Sequence, residues 1–146
     1  MKFLNLKATI VFAKLVDTLK DEGHRKIAND PFMPLTIEKI GERISTPWGM
    51  ACLYSFCHYY EQNGDLVQDP EMCFFMVDSR EGFRADFEKV VIAPYSFKQA
   101  NLGIYEESVL MEGNTLTKFH RPMQQAHTDF ANQWFSNIRQ QGFLNK

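Results

Sequence analysis

Apolar residues recur every three or four positions at both ends of the chain, and in shorter runs through its middle. Leu4, Ala8, Val11, Leu15 and Leu19 form one stripe, widened by Phe12 and Val16, which predicts an amphipathic helix over about 4–22. Gly23 then suits the left-handed position after a helix, because glycine has no Cβ to clash there. The second helical pattern covers about 118–141. Its stripe is Phe119, Met123, Ala126, Phe130, Trp134 and Ile138, broadened by Ala131 and Phe135. Pro122 fits the first turn, and Gly142-Phe143 fits a closing turn in which Phe143 packs back on the helix.

Between the helices, Asn29-Asp30-Pro31 is turn chemistry. Leu35 and Ile37 then alternate with Thr36 and Glu38, which predicts a strand over 33–40, with Pro34 at its start or edge. Residues 41–49 contain Gly41, Pro47 and Gly49 and read as a connection. The apolar runs 50–60 and 72–77 flank the polar stretch 61–70, the pattern of a β-hairpin with a longer-than-minimal loop. Residues 79–87 are charged and read as loop. Residues 89–98 and 104–111 supply a fourth and a fifth strand, separated by the turn at Asn101-Leu102-Gly103. Each helix must bury its stripe, and the sheet is the available surface. The expected fold class is α+β: about five mainly antiparallel strands, with an N-terminal and a long C-terminal helix packed on the sheet, in a single domain over 1–146.

Composition agrees with a self-sufficient core. The chain has 146 residues, of which 45% are hydrophobic, enough to offset the ordering entropy that keeps polar chains unfolded. Thirteen Phe residues predict an aromatic interior. Cys52, Cys57 and Cys73 form no C-x-x-C pair and sit within apolar runs, so they read as free thiols of a reducing cytoplasm. Lys7 and Lys14 interrupt the first apolar stretch, which reads as a helix of the mature protein and not as a signal peptide. No stretch approaches the roughly 20 apolar residues of a membrane helix. A cytoplasmic protein without a membrane partner is expected.

The net charge of −2 is unevenly spread. Both ends are basic, while residues 61–88 hold eight acids against Arg80 and Arg84. Glu61, Asp65, Asp69 and Glu71 crowd the expected hairpin loop, beside Tyr59 and Tyr60. They read either as a solvated loop or as a partner-facing acidic patch, and their spacing does not match a calcium loop. His58 beside Glu61 suggests a general base, but residues three apart on a strand point to opposite faces. His120 and His127 lie seven apart on one helix, too far to share a metal alone, and no H-E-x-x-H occurs. No nucleophile elbow or phosphate-binding glycine loop is present, and basic residues do not interleave with aromatics as in an RNA-binding module. No catalytic residue, metal or cofactor is assigned.

Four segments carry a resemblance: FMPLTIEKIG at 32–41, HYYEQNGDLVQDPEM at 58–72, NLGIYE at 101–106 and FANQWFSNIRQQGF at 130–143. In this order they resemble a family of small uncharacterised domains carried on bacterial plasmids and integrative conjugative elements. The resemblance implies a context, a bacterial mobile element or phage, and no activity or site residue. Accessory proteins there often antagonise host defence or regulate transfer. The expectation is a non-enzymatic accessory protein that binds a host or element-encoded protein, as an inhibitor of a CRISPR or restriction complex would. Two alternatives stay open: a small enzyme using His58 with nearby carboxylates, and a nucleic-acid-binding regulator using the basic terminal helices. A homodimer through surplus aromatics is compatible with each.

Overall fold

The computed structural model describes residues 1–146. The first helix, α1 (Leu6–Asp17), starts where Asn5 Oδ1 accepts from the Ala8 N–H at 2.8 Å. That bond satisfies one of the N–H groups a helix start leaves free. The helix ends at Thr18, earlier than its apolar stripe predicts; Leu19 stays buried but lies beyond it. Gly23 (φ +72) therefore sits in the turn into the first strand and does not close the helix.

Eight strands follow: β1 (His24–Asn29), β2 (Phe32–Thr46), β3 (Gly49–Gln62), β4 (Asp65–Asp78), β5 (Val90–Gln99), β6 (Ile104–Glu107), β7 (Val109–Glu112) and β8 (Thr115–Phe119). The chain closes with α2 (Arg121–Gln140). The sheet order is β6-β5-β4-β3-β2-β8-β7, with β1 also on β2. Every pairing is antiparallel except β2 with β8. β6 and β7 stand at the two ends of this order, yet only Ser108 separates them in sequence. The sheet therefore curls until the chain itself joins its margins.

Eight strands replace the expected five for local reasons. β1 reads HRKIAN, and only Ile27 and Asn29 are buried, so no alternation marks it. β8 likewise shows a single aliphatic residue, Leu116. The expected connection at 41–49 is mostly strand: β2 continues to Thr46 through register shifts near Gly41 and Arg43, and turns at Pro47-Trp48. Bulges of this kind hide the period-two pattern without ending the strand. The expected loop at 61–70 is a two-residue turn, Asn63-Gly64, with φ +53 and +85. Asn-Gly with two positive φ values is the turn that matches the twist of paired strands.

Both helices lie on one face of the sheet. Phe12 of α1 has its ring centroid 4.6 Å from Phe56, 5.1 Å from Phe74, 5.6 Å from Phe135 of α2 and 6.0 Å from Tyr54. Leu15, Leu35, Ile37, Met72, Ile92, Ile138 and Phe143 complete this core with no exposed surface to speak of. Gly142 takes the left-handed conformation (φ +86), and Phe143 folds back into the core as its spacing predicts. At the N-terminus of α2, His120 Nδ1 accepts from the Met123 N–H at 3.2 Å, so this helix starts after β8 and not at Lys118.

The opposite face is divided. Its half nearest the β2–β3 turn is apolar, with Ile44, Ala51, Phe75, Val77 and Ala93 buried under Met1, Phe3, Met111 and Leu116. Trp48 lies over Phe75 with its ring nearly parallel at 6.0 Å, and Phe3 meets Trp48 edge-on. The β7–β8 hairpin and the first three residues thus close that half.

The loop after β4 is tied down by one buried guanidinium. Arg80, with no exposed side-chain surface, donates to Asp17 and Asp78 and to the Arg84 carbonyl, and lies over the Phe87 ring. Burial pushes the Asp78 carboxyl up, but its bonds to Arg80 and the charges of Arg80 and Arg84 take it below its ordinary 3.8.

Phe12 is the residue common to both helices and the sheet. Phe12→Ala removes its ring from a packed site and should cost about 3–5 kcal/mol of unfolding free energy. Urea unfolding followed by fluorescence measures this; a loss under about 1 kcal/mol would show that the ring is not central to the core.

Candidate functional site

The second half of the divided face is polar and carries no hydrophobic cluster, with Ser55, Cys57 and Ser96 buried at its centre and charged residues exposed around them. Strand register aligns two rows of side chains across it. One row runs His24, Glu38, Ser55, Cys73, Ser96 and Glu107; the next runs Lys26, Thr36, Cys57, Glu71, Lys98 and Tyr105. Tyr95 occupies the extra position of a bulge between Phe74 and Cys73, so it joins Ser96 on this side. Beyond Cys57 the β3–β4 ribbon adds Tyr59, Glu61, Leu66 and Gln68. No core cluster includes these residues, and neither helix packs on them.

The candidates from the sequence divide accordingly. Tyr59, Glu61 and Glu71 share this open side. Tyr60 and Asp65 point to the other side of the ribbon. Asp69 lies where the register shifts and accepts from Gln99 Nε2 at 2.7 Å, which commits its carboxylate locally. The four acids therefore stand on paired strands and in a bulge, and do not crowd one loop. Glu38, Tyr95, Lys98, Tyr105 and Glu107 join the face and were missed. Their signal was strand alternation in proper register, which a bulge at Asp69-Pro70 and another at Tyr95 displace by one residue each.

Glu71 is at the centre. Ser55 Oγ donates to its Oε2 at 2.7 Å. Tyr105, 62% exposed, donates from its hydroxyl to Glu107 Oε1 at 2.9 Å. Burial pushes the Cys57 thiol up to about 12, and burial with the neighbouring Glu71 charge raises Cys73. Both thiols are protonated at neutral pH and make poor nucleophiles. Burial also raises the Tyr59 and Tyr95 phenols, helped by Cys57 and Cys73 beside them, so both keep their protons as donors. The surface offers carboxylate acceptors, phenol donors and flat rings. Four acids (Glu38, Glu61, Glu71, Glu107) face two cations (Lys26, Lys98).

Residues 7–144 match a family described as a domain of unknown function, DUF6908. The chain belongs to the DUF6908 family. No curated protein and no solved structure matches it. No helix of this DUF6908 domain is long and apolar enough to cross a membrane.

The histidines have local roles. His127 of α2 is buried, with Ser108 Oγ 2.8 Å from Nδ1 and Glu106 Oε1 3.0 Å from Nε2. A carboxylate at Nε2 puts the ring proton there, so Nδ1 accepts from the serine. The order resembles a nucleophile–base–acid chain, but Ser108 is only 2% exposed. The three groups bolt α2 to the strand bend at Ser108. His58 donates from Nδ1 to the Pro34 carbonyl at 3.1 Å and packs against Trp134 and Phe143. No carboxylate bonds to it, and Glu61 lies on the opposite side of the strand. No three His, Cys, Asp or Glu side chains converge as a metal set.

Burial lowers the His58 pKa below its ordinary 6.5, against smaller raising effects from the Pro34 and Met33 carbonyls and Asp69. The unfolded chain therefore takes up this proton first as pH falls. Stability from the neutral ring is full above 6.5 and declines as pH drops through 6.5 towards the lower folded value. Urea midpoints at pH 7.5 and pH 5 should fall further for the DUF6908 domain than for its His58→Gln variant. Equal falls would place the pH dependence elsewhere.

Proposed function

We propose that this DUF6908 domain is a non-enzymatic protein-binding module whose open sheet half docks a basic protein surface. The observation that supports it is the conjunction of three tyrosines (Tyr59, Tyr95, Tyr105) with an excess of carboxylates on the one sheet region left uncovered. Tyrosine joins large contact area to a hydrogen-bonding tip and is enriched at protein interfaces. The carboxylates choose the partner's sign. They repel phosphate, so stacked nucleic acid bases are disfavoured despite the rings, while Lys- and Arg-rich surfaces are attracted and steered.

The resemblance to plasmid- and conjugative-element domains suggests where such a surface is found. Host complexes that handle nucleic acid present basic grooves, and a domain that covers one acts as an inhibitor without chemistry of its own. The partner class is thus a nucleic-acid-binding defence or transfer protein of a bacterium.

The test is capture from bacterial lysate at low salt, comparing three tagged forms. The unaltered domain should retain one or a few basic proteins, released as salt rises. Glu38→Lys combined with Glu107→Lys reverses the charge of both acids of one row and should lose them. Glu88→Lys, exposed and outside the face, should keep them. Equal retention by all three forms would reject this face as the docking surface.

A further inference from the structure

Beside the C-terminal end of α1, the helix-side face of the sheet holds a cavity of about 340 Å³, lined by Val16, Met50, Cys52, Tyr54 and Met76. Three of these residues carry sulfur, and strand register sets them together. Cys52 and Met76 are direct partners across β3 and β4. Met50 stands two residues before Cys52, on the same side of β3. Cβ atoms of directly opposed residues lie about 4.5–5.5 Å apart, and a residue two along a strand is roughly 6–7 Å away. Methionine is unbranched with three rotatable bonds, so both thioethers can turn onto the Cys52 thiol from these positions.

Packing explains only part of this set. Met76 is 3% exposed and belongs to the helix-side core, and Cys52 packs against that core. Met50 is 61% exposed and joins neither core cluster. The other two thiols have different company: Cys57 pairs with Glu71, and Cys73 stands between Ser55 and Ser96. Only Cys52 has thioethers beside it.

The same cavity is poorly suited to hard cations. Asp17 and Asp78 line it, but both carboxylates are already bonded to Arg80 and Arg84. Calcium and magnesium need several oxygen ligands, and structural zinc needs more Cys, His or carboxylate groups than one thiol. A thiolate with thioethers is a soft ligand set, which selects Cu(I). We propose that Met50, Cys52 and Met76 bind one Cu(I) ion. The Cys52 S–H gives its proton to solvent, an S–Cu bond forms, and each thioether adds a lone pair. Copper stays monovalent and no electron moves. One positive charge replaces another, so the half-buried site gains no net charge, as it would with a divalent ion. This site lies on the helix side of the sheet and does not depend on the docking proposal.

Two probes test it. Ag(I), a soft monovalent ion that needs no reductant, is added in chloride-free buffer to the domain labelled with ¹³C at its methionine methyl groups. The chain has seven methionines, and Met50→Leu and Met76→Leu, which nearly conserve volume, identify two of the signals. One equivalent of Ag(I) should shift those two to saturation and leave the other five in place. Zn(II) at the same concentration should move neither. Cu(I) is then shared anaerobically with the chelator bicinchoninate. Cys52→Ser should weaken Cu(I) binding about tenfold or more, and so should Met50→Leu combined with Met76→Leu. Cys57→Ser and Cys73→Ser should bind as the unaltered domain does. Unchanged affinity in the double methionine variant would reduce the site to a bare thiol and overturn the proposal. Methyl shifts that survive Cys52→Ser, or that Zn(II) reproduces, would overturn it as well. The Ag(I) titration of the unaltered domain decides the matter even where a variant fails to fold: no saturating pair of methionine shifts means no site.

Discussion

The packing of Phe12 against Phe56, Phe74 and Phe135 is the interaction on which the rest of this structure depends. It brings α1, the sheet and α2 together at one point. Because both helices meet there, they share a single face, and the other face of the sheet receives no helix. A three-layer fold with one helix on each face would have covered both faces and left only edges exposed. Here the curl of the sheet supplies a partial cover instead. The β7–β8 hairpin returns over the apolar half and stops short of the rows that carry Glu38, Glu71, Lys98 and Glu107, whose charged groups would lose their water on further burial.

That boundary divides single strands between packed and exposed positions. β4 contributes Met72, Phe74 and Met76 to the helix-side core, Phe75 and Val77 to the hairpin-side core, and Glu71 and Cys73 to the open surface. Charge is divided in the same manner. Of the acids between 61 and 88, Asp78 is spent on buried Arg80 and Asp69 on Gln99, whereas Glu61 and Glu71 face outward. The outward carboxylates are joined by Glu38 and Glu107 from strands far away in sequence. A modestly acidic chain thereby gains a locally acidic surface, which is the condition for steering towards a basic partner without the high net charge of a polyanion mimic.

Much of the scaffold was legible in the chain. The stripes of both helices, the long strands around 50–60 and 72–77, and the fold-back of Phe143 all follow from apolar spacing. The misses share physical causes. β1 has two buried residues and β8 none, only the half-buried Leu116 and Phe119, too few to show a period. The extra length of β2 was masked by bulges at Gly41 and Arg43, which break the alternation, and by Gly41, Pro47 and Gly49, which read as a connection. The β3–β4 loop seemed long because polar residues continued past Asn63-Gly64 on strands that extend beyond the helices and have nothing to bury. The open face was illegible for a further reason: its members come from six strands, and two bulges each shift the register by one residue, which moves a side chain from one face to the other. Glu61, Glu71 and Tyr59 could be nominated from local composition; their companions could not.

The central claim is that one face of this sheet is sealed by aromatic packing while half of the other stands open to solvent. Broadening of side-chain NMR signals by a soluble, uncharged gadolinium chelate measures this directly. The ring signals of exposed Tyr105 should broaden strongly and those of half-buried Tyr59 and Tyr95 to a lesser degree, while those of Phe12, Phe56 and Phe74 stay sharp. Tyrosine signals as protected as the phenylalanine ones would mean that the face is covered, and would contradict both the layered arrangement and the docking surface built on it.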